Sequence, residues 1–282
     1  MGINYIEQHY DNYDEDSRLL SKHGRVEYLT TLKYIEAILG ELDSPKILEV
    51  GAGTGRYSIY LAKKGYDISA LELSNRNLEV LKSKITDDMI IKASKGNALD
   101  LSVYQEESFD MTLVLGPMYH LFSKEDKVLA LKEAVRVTKK NGYILVAYCM
   151  NEPTVIDYIF KGQNLNKILE NNMITEDWHC ISTEKDIIAM IRLEEINEIN
   201  ESIPAVRIKI VATDGATNYM RDFIDQMDAF TFDKWMEYHF TICERLDLIG
   251  ASHHTLDILK KNEWFDLRFY TRVSCHNYDN GR

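Results

Sequence analysis

One run of nine residues concentrates the chemistry this chain could carry: Ile47-Leu48-Glu49-Val50-Gly51-Ala52-Gly53-Thr54-Gly55. A short apolar stretch ends in an acid and a glycine-rich turn, and the helical pattern Arg56-Tyr57-Ser58-Ile59-Tyr60-Leu61-Ala62 follows at once. Glycines there let the backbone turn tightly and approach a ligand without Cβ clashes. A second apolar run, Asp67-Ile68-Ser69-Ala70-Leu71, ends in Glu72. That acid lies about 20 residues beyond Gly51, where a βαβ nucleotide site grips a ribose diol. A ligand with an adenosine-like ribose is therefore expected against Glu49, Gly51, Ala52, Gly53, Gly55, Glu72 and Leu73.

Two details bear on which ligand. A dinucleotide turn wants a small residue where Arg56 stands, so that helix and strand pack closely. Glu49 places a negative charge two residues before the first glycine, unwelcome to a pyrophosphate and favourable to a cation. Both disfavour a nicotinamide-dependent oxidoreductase. A ligand such as S-adenosyl-L-methionine (SAM), with an ammonium, a sulfonium and no phosphate, fits an acid near the turn.

The set of motifs over roughly residues 25–150 resembles the class I SAM-dependent methyltransferases, most closely the small-molecule, ubiquinone/menaquinone-biosynthesis type. The resemblance rests on Glu49-Val50-Gly51-Ala52-Gly53-Thr54-Gly55, on Glu72, and on Lys95-Gly96-Asn97-Ala98-Leu99-Asp100-Leu101. It continues through Ser108-Phe109-Asp110-Met111-Thr112-Leu113-Val114-Leu115-Gly116 and Pro117-Met118-Tyr119-His120-Leu121. It implies that Asn97 and Ala98 meet the adenine; the family usually has an acid at the first position, and an amide oxygen can still accept from the adenine amine. It also implies that Leu115 borders the cofactor, that an N-terminal segment with Tyr10 and Tyr13 folds over it, and that Tyr119-His120 sits beside the methyl group. His120 is the candidate base, accepting a proton from a hydroxyl, thiol or amine, and Tyr119 covers the ligand. Arg18 and Arg25 are weighed as partners for the SAM carboxylate against surface or helix-end charges. The implied activity is in-line transfer of the sulfonium methyl to a small-molecule acceptor, with S-adenosyl-L-homocysteine (SAH) as product. A non-catalytic SAM-binding or oligomer-forming module is the alternative of a different class.

Elements that would hold these residues alternate from Lys46 to Met150, with strands expected at 46–50, 67–72, 89–93, 109–115 and 143–149 after a helix over 26–39. The fold class is α/β: a Rossmann-like, seven-stranded, mostly parallel sheet with an antiparallel seventh strand, helices on both faces and helical cap insertions. One domain covers 1–282, its core 25–150, 182–215 and 250–262. Caps are expected over about 151–181 and 216–249, with a crossover helix over 184–202, a sixth strand at 205–211 and a seventh at 253–260. The tail 264–273 could add a strand. In the second insertion, Phe232, Met236, Phe240 and Cys243 form one apolar stripe and Trp235, His239, Ile242 and Leu246 another. They suggest a helix packed between core and first insertion, or an aromatic lining over a substrate.

The chain's net charge of −12 argues against tracking a phosphate backbone, so no nucleic-acid partner is expected. Cys149, Cys180, Cys243 and Cys275 are far apart, which suits buried thiols in a reducing compartment. No apolar run approaches the length of a membrane span, and a cytoplasmic protein without a membrane partner is expected. No metal is expected either: adjacent strand residues His253 and His254 would point to opposite faces. Asp214 in Thr213-Asp214-Gly215 reads as a turn residue.

Overall fold

A single sheet carries the strand–helix alternation. In the computed structural model, which describes residues 2–13, 15–17 and 19–262, the strands are β1 (Lys46–Val50), β2 (Asp67–Glu72), β3 (Ile91–Lys95), β4 (Phe109–Val114), β5 (Thr138–Cys149), β6 (Ala205–Ala212) and β7 (His254–Lys261). Their order is β3-β2-β1-β4-β5-β7-β6. All pairings are parallel except those of β7, which is antiparallel to both β5 and β6. The order reverses between β1 and β4, and a ligand crevice opens beyond the carboxyl ends at such a switch point.

Central strands are apolar because both faces are covered. On one face Leu48, Val50, Ile144 and Val146 pack with Leu131 and Ala134 of α5 (Lys124–Val137) and Ile196 of α8 (Leu193–Asn200). On the other, Ile47, Met111 and Leu113 meet Leu32 and Ile35 of α2 (Lys22–Leu39) and Leu61 of α3 (Arg56–Lys63). Truncating Ile35, which is fully buried, would cost about 2–5 kcal/mol. Side-chain caps set two helix starts: Ser74 accepts from the Asn77 amide at the head of α4 (Asn75–Ser83), and Ser123 from the Asp126 amide at the head of α5.

The structure shifts several expected boundaries. β3 lies two residues later than expected, because its register is set by pairing Ile68 with Ile91 and Glu72 with Lys95. β5 begins at Thr138, which pairs with Phe109 across an irregularity before Met111. Only Leu193–Asn200 of the expected 184–202 helix is α-helical. Ile187 at φ 67° interrupts it, and the following backbone bonds elsewhere: the Ala189 amide donates to Tyr119 O at 2.8 Å and the Ile191 amide to Cys149 O at 3.0 Å.

The first insertion holds α6 (Asn151–Thr154), a π-helical stretch (Val155–Lys161) and α7 (Leu165–Glu170). The second holds α9 (Arg221–Gln226) and α10 (Ala229–Ile242). On α10 Phe232, Met236 and His239, drawn from both stripes, are buried, and Trp235 and Phe240 pack against the same cluster; Leu246, beyond the helix end, is 70 % exposed. Phe232 and Met236 cluster with Val26 and Leu29 of α2, so this helix covers α2. The expected tail strand over 264–273 lies outside the described residues. Among the described residues, no helix is long and apolar enough to cross a membrane.

Candidate functional site

The glycine turn between β1 and α3 is held by left-handed backbone at three positions, φ 73° at Gly51, 54° at Gly53 and 85° at Gly55. Each glycine answers a different need. A Cβ on Gly51 would strike Pro117 Cδ at 2.7 Å and one on Gly55 would strike Leu81 Cγ at 2.8 Å, whereas one on Gly53 would meet nothing closer than Glu15 Cγ at 3.8 Å. Gly51 and Gly55 thus let protein pack against the turn, and Gly53 leaves its approach open.

Two buried carboxyl groups flank this turn. Burial raises the Glu49 pKa to about 8, assisted by the neighbouring Glu72 charge and opposed by a hydrogen bond from Ser58 Oγ. Glu72, also raised chiefly by burial, accepts from the Gly53 amide at 2.7 Å and the Ser74 amide at 2.8 Å. Its position at the head of α4 follows from β2 ending directly above the turn.

A cavity of about 440 Å³ takes in Glu49, Gly51, Ala52, Gly53, Glu72 and Leu73. Asn97, Ala98, Leu115, Tyr119, His120 and Tyr10 line the same space. Asn97 Oδ1 accepts from the Leu99 amide at 3.1 Å, an Asx turn that fixes the side chain at the wall. Gly55 is not a wall residue; it packs on Leu81. Tyr13 is also outside the cavity, 40 % exposed and stacked on His9 with ring centroids 5.2 Å apart. Arg25 lies over the Phe232 ring at 5.4 Å, on the α2 side, which leaves it no part in this cavity. Arg18 lies outside the described residues.

The N-terminal segment forms part of the cavity wall through Ile6, Tyr10, Glu15, Asp16 and Leu19. Tyr10 of α1 (Gly2–Asn12) shares a 2.8 Å hydrogen bond with His120 Nε2. Lys95 donates to Glu7 at 2.7 Å, Thr54 Oγ1 donates to Asp16 at 2.8 Å, and Lys84 pairs with Asp16. The remaining ring nitrogen of His120, Nδ1, lies 2.8 Å from Ile187 O. A carbonyl can only accept, so Nδ1 carries the proton, Nε2 presents its lone pair and the Tyr10 hydroxyl donates to it. Burial lowers the His120 pKa to about 4, and the imidazole is neutral near pH 7. Tyr119 donates its hydroxyl to Leu115 O at 3.0 Å.

Sequence reasoning missed Arg56, Asp16, Asn77 and Glu184 as wall residues. Arg56, read there only as too large for a dinucleotide turn, lies over the Tyr28 ring at 5.1 Å. Asn77 follows the Ser74 cap, and its side chain hydrogen-bonds Glu72; that cap was the available signal. Asp16 and Glu184 come from segments distant in the chain and had none.

The expectation that His253 and His254 face apart is overturned. His253 precedes β7, where strand alternation does not apply, and its Nδ1 lies 3.3 Å from His254 Nδ1. Asp214, read as a turn residue, is buried against them. Its Oδ2 meets His254 Nδ1 at 2.8 Å and its Oδ1 accepts from Ser252 Oγ at 2.7 Å. Burial would raise the Asp214 pKa, but His254 and the other donors bring it down to about 2. Burial likewise opposes the His254 imidazolium, and Glu27, Cys149 and Asp214 hold its pKa well above the ordinary value.

Residues 48–146 match the family described as a methyltransferase domain. The chain is 27 % identical over 179 residues to a glycine/sarcosine N-methyltransferase of Aphanothece halophytica, covering 61 % of this chain and 63 % of the relative. It is 25 % identical over 189 residues to a ubiquinone biosynthesis O-methyltransferase of Pelagibacter ubique, covering 65 % of this chain and 76 % of the relative. The chain thus spans less than two thirds of the first relative's length. In fold, it is similar to a Thermotoga maritima SAM-dependent methyltransferase described as a possible histamine N-methyltransferase, with TM-score 0.55, 21 % identity and coverage of 92 % of this chain and 99 % of that one. Sheet order, glycine turn and domain match agree: residues 48–146 match a methyltransferase domain, and the fold is the Rossmann-like one of SAM-dependent methyltransferases. The same fold also occurs in the [4+2]-cyclase SpnF, at TM-score 0.54, 13 % identity and coverage of 84 % of this chain and 81 % of that one, so fold alone does not name the reaction.

Proposed function

We propose that this chain transfers the methyl group of SAM to a small-molecule acceptor inside the cavity walled in part by α1. The observation that carries the reading is convergence: Glu49, Gly53 and Glu72 border one cavity with Asn97, Tyr10 and His120. Glu49 is a buried carboxyl without a protein cation beside it among the groups that set its pKa, which is what a ligand ammonium would complete. Glu72 borders the same space, where a ribose diol would compete with the Gly53, Ser74, Leu73 and Asn77 donors that it already has, and Asn97 in the wall is the acceptor proposed for an adenine amine.

Bound there, SAM supplies an electrophilic methyl on a sulfonium whose leaving thioether is neutral. Protein groups have three tasks: alignment, exclusion of water and removal of the acceptor's proton. The N-terminal segment, held by Glu7 and Tyr10 of α1 and by Asp16 after it, would shield this space from water. His120 Nε2 would take the proton of a hydroxyl, thiol or amine acceptor, directly or through the Tyr10 hydroxyl, as the acceptor's lone pair forms the new bond to the methyl carbon and the thioether leaves. Its lowered pKa makes it a weak base that is never blocked by its own proton at neutral pH. The relatives' names, an amino-acid N-methyltransferase and a quinone-pathway O-methyltransferase, support a small acceptor, and the net charge of −12 disfavours a nucleic acid.

Calorimetric titration with SAM, SAH and NAD tests this reading. Binding of SAM and SAH without NAD is expected, and SAH release on screening acceptors would follow. NAD binding without SAM binding would end it.

A further inference from the structure

We propose that Asp214, His253 and His254 form a site for a divalent transition metal of the zinc type, with the fourth position left to water. One ligand atom from each of the three lies within 4.8 Å of the others. The two Nδ1 atoms are 3.3 Å apart, and Glu27 of α2 stands outside this set, its Oε2 3.4 Å from His254 Nδ1. In a tetrahedral zinc site with bonds of about 2.0–2.1 Å, donor atoms stand about 3.3–3.4 Å from one another. Asp214 Oδ2 is closer to His254 Nδ1, at 2.8 Å, a distance that suits a hydrogen bond and must open by about half an ångström on metal binding.

Asp214 Oδ2 and His253 Nδ1 both converge on His254 Nδ1, at 2.8 and 3.3 Å. A dication would be held by these three atoms together, and two imidazoles with a carboxylate suit zinc. Outer contacts already orient the donors, as metal sites require. Ser252 Oγ and the His254 amide both donate to Asp214 Oδ1, at 2.7 and 3.1 Å.

A second observation is independent of these distances. Among the described residues, five buried side-chain polar atoms lack a partner, and three of them, Thr213 Oγ1, Asn218 Nδ2 and His239 Nε2, belong to residues around Asp214. Thr213 is its chain neighbour, and the His239 ring lies against Gly215. Asn218 lines, with His253, a cavity of about 450 Å³ between the two insertions, which gives an ion and its water an entry path. Elements far apart in the chain meet here: α2, the end of β6 and the start of β7. The Tyr119 ring, 6.5 Å from that of His254, separates the ion from the cofactor cavity.

The test uses the whole chain, stripped with chelator and titrated with Zn²⁺ and with Co²⁺, SAM binding being measured on the same samples. One equivalent of Zn²⁺ and the intense visible bands of tetrahedral Co²⁺ are expected. His253→Gln, which keeps the cluster's charge, should weaken metal binding by more than the roughly 10–100-fold typical of losing an outer-shell partner. A folded wild type without stoichiometric uptake of either ion would overturn the site and leave His254 as an imidazolium between two carboxylates. Undiminished uptake by a folded His253→Gln protein would overturn it too. Metal uptake without SAM binding would uphold the site while removing the functional reading above.

Discussion

Two buried carboxyl groups at the carboxyl edge of the sheet are treated in opposite ways by their neighbours. Glu49, at the end of β1, has Ser58 and a second acid for company, and burial lifts its pKa to about 8. Asp214, just past β6, is equally buried, but His254 lies 2.8 Å away and its pKa falls to about 2. Desolvation acts on both; the difference is whether the protein itself supplies the positive charge. An acid left without a cation is open to one that a ligand brings, whereas an acid already paired holds the fold when no metal is bound. The first suits the cationic cofactor proposed above. The second marks the junction of α2, β6 and β7.

That contrast can be broken by replacing each acid with its amide. Asp214→Asn strands His254 beside Glu27, and denaturant unfolding in the presence of chelator should show a loss of about 3–5 kcal/mol. Glu49→Gln removes no charge at pH 6, where Glu49 is already neutral, so its ligand-free stability should stay within about 1 kcal/mol. Equal losses for the two variants would erase the distinction.

Affinity is the next largest effect. Losing one hydrogen bond to a charged group costs about 1.5–3 kcal/mol, so Glu49→Gln and Glu72→Ala should each weaken SAM binding about 10–100-fold in calorimetry. Unchanged affinity in Glu72→Ala would displace the ribose from its assigned place.

His120 offers a smaller, pH-dependent test. Its folded pKa of about 4 lies below the ordinary 6.5. The unfolded chain therefore binds the proton first, and stability present above 6.5 is lost as pH falls toward 4. Between pH 6.5 and 5 this contributes about 2 kcal/mol, and His120→Gln should flatten that part of a thermal-melt profile. The smallest signal is a proton count. Because Glu49 must ionise to meet an ammonium, SAM binding at pH 7 should release about one proton. Calorimetry in buffers of different ionisation enthalpy reads it directly, and Glu49→Gln should abolish it.

Much of the cofactor half was legible before any coordinates because it is built from contiguous chain. Strand, acid, turn and helix follow one another from Ile47 to Ala62, and β1 and β2 are short apolar runs buried on both faces, as central parallel strands are. Residues expected there, including Glu49, Gly53, Glu72, Asn97 and Ala98, line one cavity. Tyr13 lies outside the cavity because α1 ends at Asn12 and the chain bends there, so Tyr10 and Tyr13 do not share one helical face. The 184–202 helix failed at Ile187, whose left-handed backbone no local rule favours for a β-branched residue.

Residue types alone determined the chemistry of the cofactor turn, since glycine conformations and a strand-end acid are local properties of neighbouring residues. Tertiary structure alone decided what His120, Asp214 and His254 face. His120 takes its tautomer from Ile187 O and its partner from Tyr10, 67 and 110 residues away. Asp214 meets His254 across 40 residues. Burial and pairing at such separations are set by how sheet and helices close on one another, and that closure decides which buried acid holds a proton and which holds a charge.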